Sequence, residues 1–284
     1  MQSDALRARF SRAALLASAE VRTRSDPARA GRDAGHAVAL IAKSGEPMRL
    51  AEASLLESRA LAKLGRIDEA RVAAERGIDA FERALASIDP RDPIRISALD
   101  PAWALYSDAA RLHLVRGRED YAVAFALLER GRARTLIDLR RVTPLSLADV
   151  QERLKSDEAL LLLDQSSSSL VTWWITSASV RTASANASVD QVEALVSSHR
   201  RSVDRGERKN PAWAALFDLA IGSWWPDLRN TATVAVIPDG AWSRVAWPAL
   251  WETSSGVELV SGAGFVIAPS ASGAASGRWN QDAP

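Results

Sequence analysis

The chain has 284 residues, 47% of them hydrophobic and 25% charged, which is enough for two domains that each bury a core. A formal net charge of +1 argues against nucleic acid or an anionic membrane as a partner, and no apolar run approaches the ~20 residues that cross a bilayer, so the cytoplasm is the expected compartment. There is no cysteine, which excludes a disulfide scaffold, a thiolate metal site and a cysteine nucleophile within these residues.

The first half of the chain is predicted to be helical nearly throughout. Residues 1–141 are rich in Ala, Leu, Arg and Glu and contain few β-branched runs, a composition that favours helix. The N-terminal stretch has arginines ahead of an apolar patch, as a signal peptide does. Asp4 and the brevity of that patch favour an amphipathic helix instead. We therefore expect a helical domain over residues 1–142.

Small residues recur in this half at offsets that a tetratricopeptide repeat uses for packing. In the clearest copy, Gly65 is expected to end one helix and Ala70 to let the next helix approach closely. The packing positions are Ser58, Leu61, Gly65, Ala70, Ala74 and Gly77 in that copy, Ala110, His113, Gly117, Ala122 and Ala126 in a second, and Ser18, Ala30, Ala34 and Ala37 in a weaker one. The pattern resembles a degenerate tetratricopeptide array.

The copies are unequally spaced, and their separations exceed the ~34 residues of a regular array. Three prolines within residues 86–101 predict that the extra length is an extended loop. Arrays of this type bind peptides or other proteins on a concave face, so a protein or peptide partner is expected. The alternative is that the repeats only brace the domain that follows.

The helix predicted over residues 118–141 carries many arginines, which is one feature of nucleic-acid binding. Acidic residues alternate with them, so we favour a solvated face with local ion pairs. The arginines are Arg130, Arg132, Arg134, Arg140 and Arg141, and the acidic residues are Glu119, Asp120, Glu129 and Asp138. No nucleic-acid partner is expected.

From residue 143 onward, short helices alternate with apolar runs, which predicts an α/β domain over residues 143–284 with a largely buried sheet. Ser146 is expected to cap a first short helix with Leu147, Val150 and Leu154 on one face. "ALLLLD", the turn "QSSSS" and "LVTWWITSASV" predict a hairpin of two strands.

Two further helices and two further strands are expected after the hairpin. Ser188 and Gln191 form a predicted capping box, and Asn210 with Pro211 starts the second helix. The inward-facing positions are Val192, Leu195, Val196, His199 and Val203 on the first helix and Trp213, Leu216, Phe217 and Ala220 on the second. A buried strand is predicted over Thr233–Ile237, and Pro269 is expected to end a last strand.

The order of these elements is similar to that of the bacterial CHAT proteins, whose C-terminal domain is related to caspases and separase. The resemblance rests on the "ERGRARTLIDLR" helix, the "ALLLLD…LVTWWIT" hairpin, the "VAVIPDG" strand and turn, "WSRVAWPAL" and a strand ending in "APSAS". Ser243 stands where the family usually has a histidine, and Val245-Ala246-Trp247 departs from the usual "LPF" or "VPW". The resemblance implies an α-helical, tetratricopeptide-like repeat followed by a partial α/β caspase-like domain.

In active members, the resemblance implies a histidine that takes the proton of a cysteine, whose thiolate then attacks a peptide carbonyl. Both groups would belong beyond "APSAS", where this chain has no cysteine and no histidine. We therefore expect the N-terminal portion of a tetratricopeptide–CHAT protein, cut off before the catalytic dyad, and no peptidase activity of the chain as given. The alternative is a non-catalytic interaction scaffold with the α/β part as a structural cap.

No catalytic, cofactor-binding or metal-binding residue is expected. His36, His113 and His199 lie far apart in predicted helices, and the last two occupy packing positions, so a structural role is favoured. Asp164 and Asp239 lie at strand ends, where site residues gather, but a turn role is favoured for Asp239. Gly262 and Gly264 precede a strand rather than a helix, which argues against a phosphate cradle.

The tryptophan pairs Trp173–Trp174 and Trp224–Trp225 are expected to be core residues. If a pair lies in a strand, its two side chains point to opposite faces of the sheet. The alternative is that these rings form an exposed apolar patch.

Overall fold

The computed structural model describes residues 2–89, 92–132, 143–207, 210–247, 250 and 263–276, with side chains from residue 10 onward except at 93–102 and 276. The chain divides into two compact units, residues 1–142 and 143–284. The first unit is helical, and the second combines helices with a five-stranded mixed sheet. This confirms the predicted succession of a helical part and an α/β part.

The first unit is a series of six described helices joined by short turns. They are α1 (Gln2–Arg22), α2 (Pro27–Ile41), α3 (Pro47–Lys63), α4 (Ile67–Ala86), α5 (Pro93–Leu114) and α6 (Tyr121–Arg132). The extended loop predicted over residues 86–101 is wrong for most of its length, because α5 already begins at Pro93. A proline is well tolerated at the first position of a helix, where its missing N–H has no helical partner to lose.

Small residues allow α4 to approach α3 and α5 closely. The Ser58 hydroxyl donates to the carbonyl oxygen of Ala70, 2.8 Å away, and so joins α3 to α4. At Gly77, a Cβ atom would lie 2.8 Å from Cδ2 of Leu105 and 3.1 Å from Cβ of Ser54. Ser58, Ala70 and Gly77 therefore lie at helix contacts, as their predicted packing positions require. In the weaker copy the three predicted alanines are also fully buried: Ala30, Ala34 and Ala37.

The second predicted copy has the wrong register in its last helix. Gly117 has a positive φ of 105° just after α5, but Ala122 and Ala126, which were predicted to pack inward, are exposed. A 3₁₀ turn over Arg118–Asp120 precedes α6, and it changes which face of α6 turns inward. The buried residues of α6 are Ala124, Phe125, Leu127, Leu128 and Glu129.

The arginines at the end of this unit make contacts between helices. Arg130 donates to both carboxylate oxygens of Glu82 on α4, at 2.8 and 2.9 Å, and the Arg132 guanidinium lies 4.9 Å from the ring centre of Trp103. Local ion pairs along its own helix had been predicted for Arg130. The structure pairs it with Glu82 of a different helix instead. Four other members of that arginine-rich run lie outside the described residues: Arg134, Asp138, Arg140 and Arg141.

Alternate helices of the first unit also contact each other. In the described residues, each helix packs against the next one along the chain, and α3 in addition contacts both α1 and α5. We infer from these contacts that α1, α3 and α5 form one layer and that α2, α4 and α6 form a second. Stacked helical hairpins that curve have a closer helix spacing on their inner side.

The second unit is built on a mixed sheet with strand order β3-β2-β1-β4-β5. Strands β1, β2 and β3 are antiparallel neighbours, whereas β4 pairs in parallel with β1 and with β5. The elements are α7 (Leu147–Arg153), β1 (Glu158–Gln165), β2 (Ser169–Thr176), β3 (Val180–Asn186), α8 (Val189–Asp204), α9 (Pro211–Ala220), α10 (Trp225–Leu228), β4 (Thr233–Ile237), β5 (Gly264–Ile267) and α11 (Ala271–Ser276). The predicted N-caps are confirmed, since Ser146, Ser188 and Asn210 each accept a backbone N–H at a helix start. Of the capping box predicted for Ser188 and Gln191, the structure shows the half in which Ser188 accepts the Gln191 N–H.

Both faces of the central strands are buried. One face, with Leu161, Trp174 and Val236, belongs to a core that includes apolar residues of α8 and α9. The opposite face carries Leu162 and Trp173, which are both fully buried. The prediction that Trp173 and Trp174 point to opposite faces is therefore confirmed.

Two details of this unit differ from the predictions. "LVTWWITSASV" is not one strand, because β2 ends at Thr176 and a tight turn leads to β3, an edge strand whose polar sequence gives little periodic pattern. On α8, Val203 is exposed and Ser202 is buried instead, with its hydroxyl bonded to Glu207. Trp224 and Trp225 lie in a 3₁₀ helix and a short α-helix, so the alternation expected of a strand does not apply to this pair.

Candidate functional site

The carboxyl ends of β1 and β4 are joined by a hydrogen-bonded network centred on Gln165, the last residue of β1. Its backbone N–H donates to Oδ2 of Asp239, 2.8 Å away, just beyond the end of β4. Its side-chain nitrogen donates to three carbonyl oxygens, those of Ser166, Ser169 and Ala187. The amide thus ties the β1–β2 turn and the start of α8 to one point. In parallel sheets, this edge is where ligands and reacting groups are usually held.

The Pro-Asp-Gly turn after β4 fixes the chain direction beyond this edge. Gly240 has a φ of +51°, in the left-handed region that glycine adopts without steric cost. Asp239 precedes the 3₁₀ helix Gly240–Arg244, and its carbonyl oxygen accepts the N–H of Trp242. The turn role predicted for Asp239 is confirmed, and its carboxylate has the additional task of holding β1.

Two tryptophans anchor residues 240–247, which we call the tryptophan segment. Trp242 and Trp247 are fully buried and stack with ring centres 6.0 Å apart and an interplanar angle of 24°. The indole N–H of Trp242 donates to Oε1 of Gln165 at 3.2 Å. The segment is therefore fastened to the sheet edge by aromatic packing and by the same glutamine that organises the edge.

His199 on α8 holds the other end of the tryptophan segment. Its Nε2 accepts the backbone N–H of Ala246 at 3.0 Å, and its ring meets Trp213 of α9 edge to face, with ring centres 5.3 Å apart. The imidazole is fully buried. Burial lowers the pKa of His199, and the neighbouring Arg200 lowers it further. His199 therefore occupies the inward-facing packing position that was predicted for it.

The other residues singled out in the sequence are dispersed. His113 is buried in the first unit, where its Nδ1 lies 3.0 Å from Oδ2 of Asp120, and Asp164 is fully buried within β1. Ser272 is buried in α11 and its hydroxyl accepts the backbone N–H of Leu145. Ser243 donates to the carbonyl oxygen of Gly240 in its own turn. Gly262 lies outside the described residues.

The described groups at the β1–β4 edge are joined to one another by hydrogen bonds. Gln165, Asp239 and Trp242 hold one another, and His199 uses Nε2 to bind a backbone amide. Within the described ranges, no three histidine or acidic side chains are placed to hold a metal ion. In the same part of the chain, no helix combines the length and the apolar character needed to span a membrane.

Sequence reasoning missed Gln165, which had been assigned only to the start of a turn. Gln165 is the last residue of one apolar strand and Asp239 lies just beyond another, and that position was the available signal. The sequence does not show that β1 and β4 are neighbours, so the meeting of the two residues was not predicted.

Comparison with known families and with curated proteins returns no family model and no significant relative.

Proposed function

We propose that the chain is a protein-interaction molecule of the tetratricopeptide–CHAT type, in which the helical unit binds a peptide or protein and the α/β unit has a caspase-like framework without catalysis of its own. The observation that carries the proposal is the layered stacking of the first unit, with α3 contacting both α1 and α5. Stacked hairpins of this kind present an extended inner surface on which ligands bind.

A stripe along α3 is the best candidate for that surface. Its residues follow helical spacing and are exposed or half-buried: Met48, Glu52, Leu55, Arg59 and Lys63. Arg59 donates to Asp108 at 2.6 Å, so the surface continues onto α5. Apolar and charged side chains of both signs alternate here, which suits a peptide with mixed side chains rather than a polyanion.

An open cleft lies beside the amino-terminal end of this α3 stripe. It has a volume of about 360 Å³, with apolar walls from Phe10, Leu16 and Ile41 and charged groups from Arg12 and Glu46. Arg12 and Glu46 form an ion pair of 2.7 Å. The cleft is large enough for one or two apolar side chains of a bound peptide.

The α/β unit supports the second half of the proposal through its topology. Strands β1, β4 and β5 are parallel neighbours, and the "VIPDG" turn and the tryptophan segment follow the central one. This arrangement agrees with the CHAT resemblance. The sequence contains no cysteine, and His199 is engaged by the Ala246 N–H, so the dyad of an active peptidase has no counterpart in these residues.

A mutation on the α3 stripe is expected to weaken peptide binding. Peptides would first be selected from a random library on the immobilised full chain. Met48→Glu places a charge at the exposed apolar end of the stripe and is expected to raise Kd roughly tenfold, because an apolar contact is lost and a carboxylate must be desolvated. Calorimetry or fluorescence anisotropy with the selected peptides gives the comparison.

The matched control is Val72→Glu, which introduces the same charge at an exposed aliphatic residue of α4, in the other layer. Its Kd is expected to equal that of the unmodified chain. Equal weakening by both variants, or failure to select any peptide, would contradict the assignment of the binding surface to the α3 stripe.

The purified chain is expected to cleave no peptide bond. The measurement is hydrolysis of a mixture of fluorogenic peptides, compared with buffer alone. Because the chain has no cysteine, N-ethylmaleimide cannot inactivate it through a thiolate, so any cleavage that this reagent abolishes comes from a contaminant. Cleavage that resists the reagent and co-purifies with the chain would refute the non-catalytic assignment.

A further inference from the structure

His199 lies at the junction of three elements of the second unit. It projects from α8 and contacts Trp213 of α9 through its ring, and its Nε2 holds the Ala246 N–H of the tryptophan segment. Because Nε2 accepts a hydrogen bond, the neutral ring carries its proton on Nδ1. Among the described residues Nδ1 has no hydrogen-bond partner, although it is buried.

Among the described residues, the acidic groups on the elements packed around His199 are bound elsewhere or exposed, so they do not serve an imidazolium as counter-ion. On α8, Arg200 is adjacent and repels a positive charge, whereas Glu193 is bound to Arg244 of the tryptophan segment. The acidic side chain of α9, Asp218, is exposed. A buried cation without a partner is strongly unfavourable. Protonation of His199 therefore destabilises the packing in which its ring is buried.

We propose that His199 is an acid-sensitive latch that holds the tryptophan segment on the sheet edge and releases it when Nε2 is protonated. Protonation by solvent converts Nε2 from an acceptor into a donor that faces the Ala246 N–H, so the bond between them is lost. The charged ring then gains hydration by leaving its site. Release exposes Trp242 and Trp247, and it frees Oε1 of Gln165 at the carboxyl end of β1.

The direction of the pH effect follows from the proton count. The released state has an imidazole with an ordinary pKa of ~6.5, whereas burial lowers the pKa of His199 in the latched state. The released state therefore binds more protons, and its population grows as pH falls below ~6.5. The growth stops below the lowered pKa, where both states are protonated. This inference is independent of what the helical unit binds.

The test is hydrogen exchange of the full chain at a series of pH values, with each rate divided by its intrinsic rate at that pH. Protection of the backbone amides of residues 240–247 is expected to fall by up to tenfold per pH unit below ~6.5, while protection of β1 and β4 stays unchanged. His199→Gln places an uncharged acceptor near the position of Nε2 and is expected to abolish this pH dependence. His113→Gln, the control, removes a buried histidine of the first unit and is expected to leave it intact.

The latch is overturned if residues 240–247 keep constant protection, if β4 loses protection together with them, or if His199→Gln retains the wild-type slope. Should His199→Gln fail to fold, NMR titration of the unmodified chain decides. The imidazole nitrogens of His199 and the amide of Ala246 are expected to shift with one common midpoint below 6.5. Separate midpoints would overturn the proposal.

Discussion

Replacing Trp242 with alanine is expected to lower the free energy of unfolding of the second unit by about 3–5 kcal/mol, the usual cost of removing a fully buried large aromatic side chain. The ring is fully buried and stacked on Trp247, so its removal leaves a cavity against the sheet. It also leaves Oε1 of Gln165 without the indole N–H that it accepts. Urea denaturation followed by intrinsic fluorescence measures this loss, because nine of the ten tryptophans follow residue 150.

Two variants separate the contributions to that loss. Trp242→Phe keeps an aromatic ring but removes the N–H, and an unsatisfied buried acceptor costs about 1–3 kcal/mol. Trp225→Ala removes the same side chain at a half-buried position of α10, so a smaller loss is expected. If Trp242→Ala cost no more than Trp225→Ala, the tryptophan segment would not be anchored in the way described.

Local chemistry made much of this fold predictable. The side chains of Ser146, Ser188 and Asn210 cap helices at the predicted residues, because a cap depends on a few consecutive residues. The strand Thr233–Ile237 was found for a similar reason, since a short apolar run between turn residues has few alternatives. Errors arose where periodicity was weak, as in the polar edge strand β3, or where a 3₁₀ turn altered the register, as before α6.

The network at the β1–β4 edge could not be predicted from local sequence. Gln165 and Asp239 meet because β1 and β4 pair in parallel, although β2, β3, α8 and α9 lie between them in the chain. Nothing in "DQSSSS" distinguishes a glutamine that organises three segments from one that merely begins a turn. The pairing of His199 with the Ala246 N–H is hidden for the same reason, since helical spacing predicts only that the ring faces inward.

Gly77→Ala is expected to lower the free energy of unfolding of the first unit by about 1–2 kcal/mol. Overpacking a core typically costs 1–3 kcal/mol, and alanine recovers up to about 1 kcal/mol through its better helix propensity. The new Cβ would lie 2.8 Å from Leu105, 3.1 Å from Cβ of Ser54 and 3.4 Å from the carbonyl oxygen of Ala51. Leu105 can rotate away, but the α3 backbone cannot, so α4 must shift. Denaturation followed by circular dichroism at 222 nm reports this unit, which is helical.

The matched control is Gly31→Ala on α2, where the new Cβ would meet its nearest neighbour, Cβ of Ala60, at an ordinary 3.5 Å. The same substitution in an interior helical position should therefore stabilise the chain by up to about 1 kcal/mol. The opposite signs of the two variants separate close helix packing from helix propensity. If both stabilised the chain, α4 would not need glycine to pack between α3 and α5, and the small-residue pattern from which the repeat was inferred would lose its physical basis at Gly77.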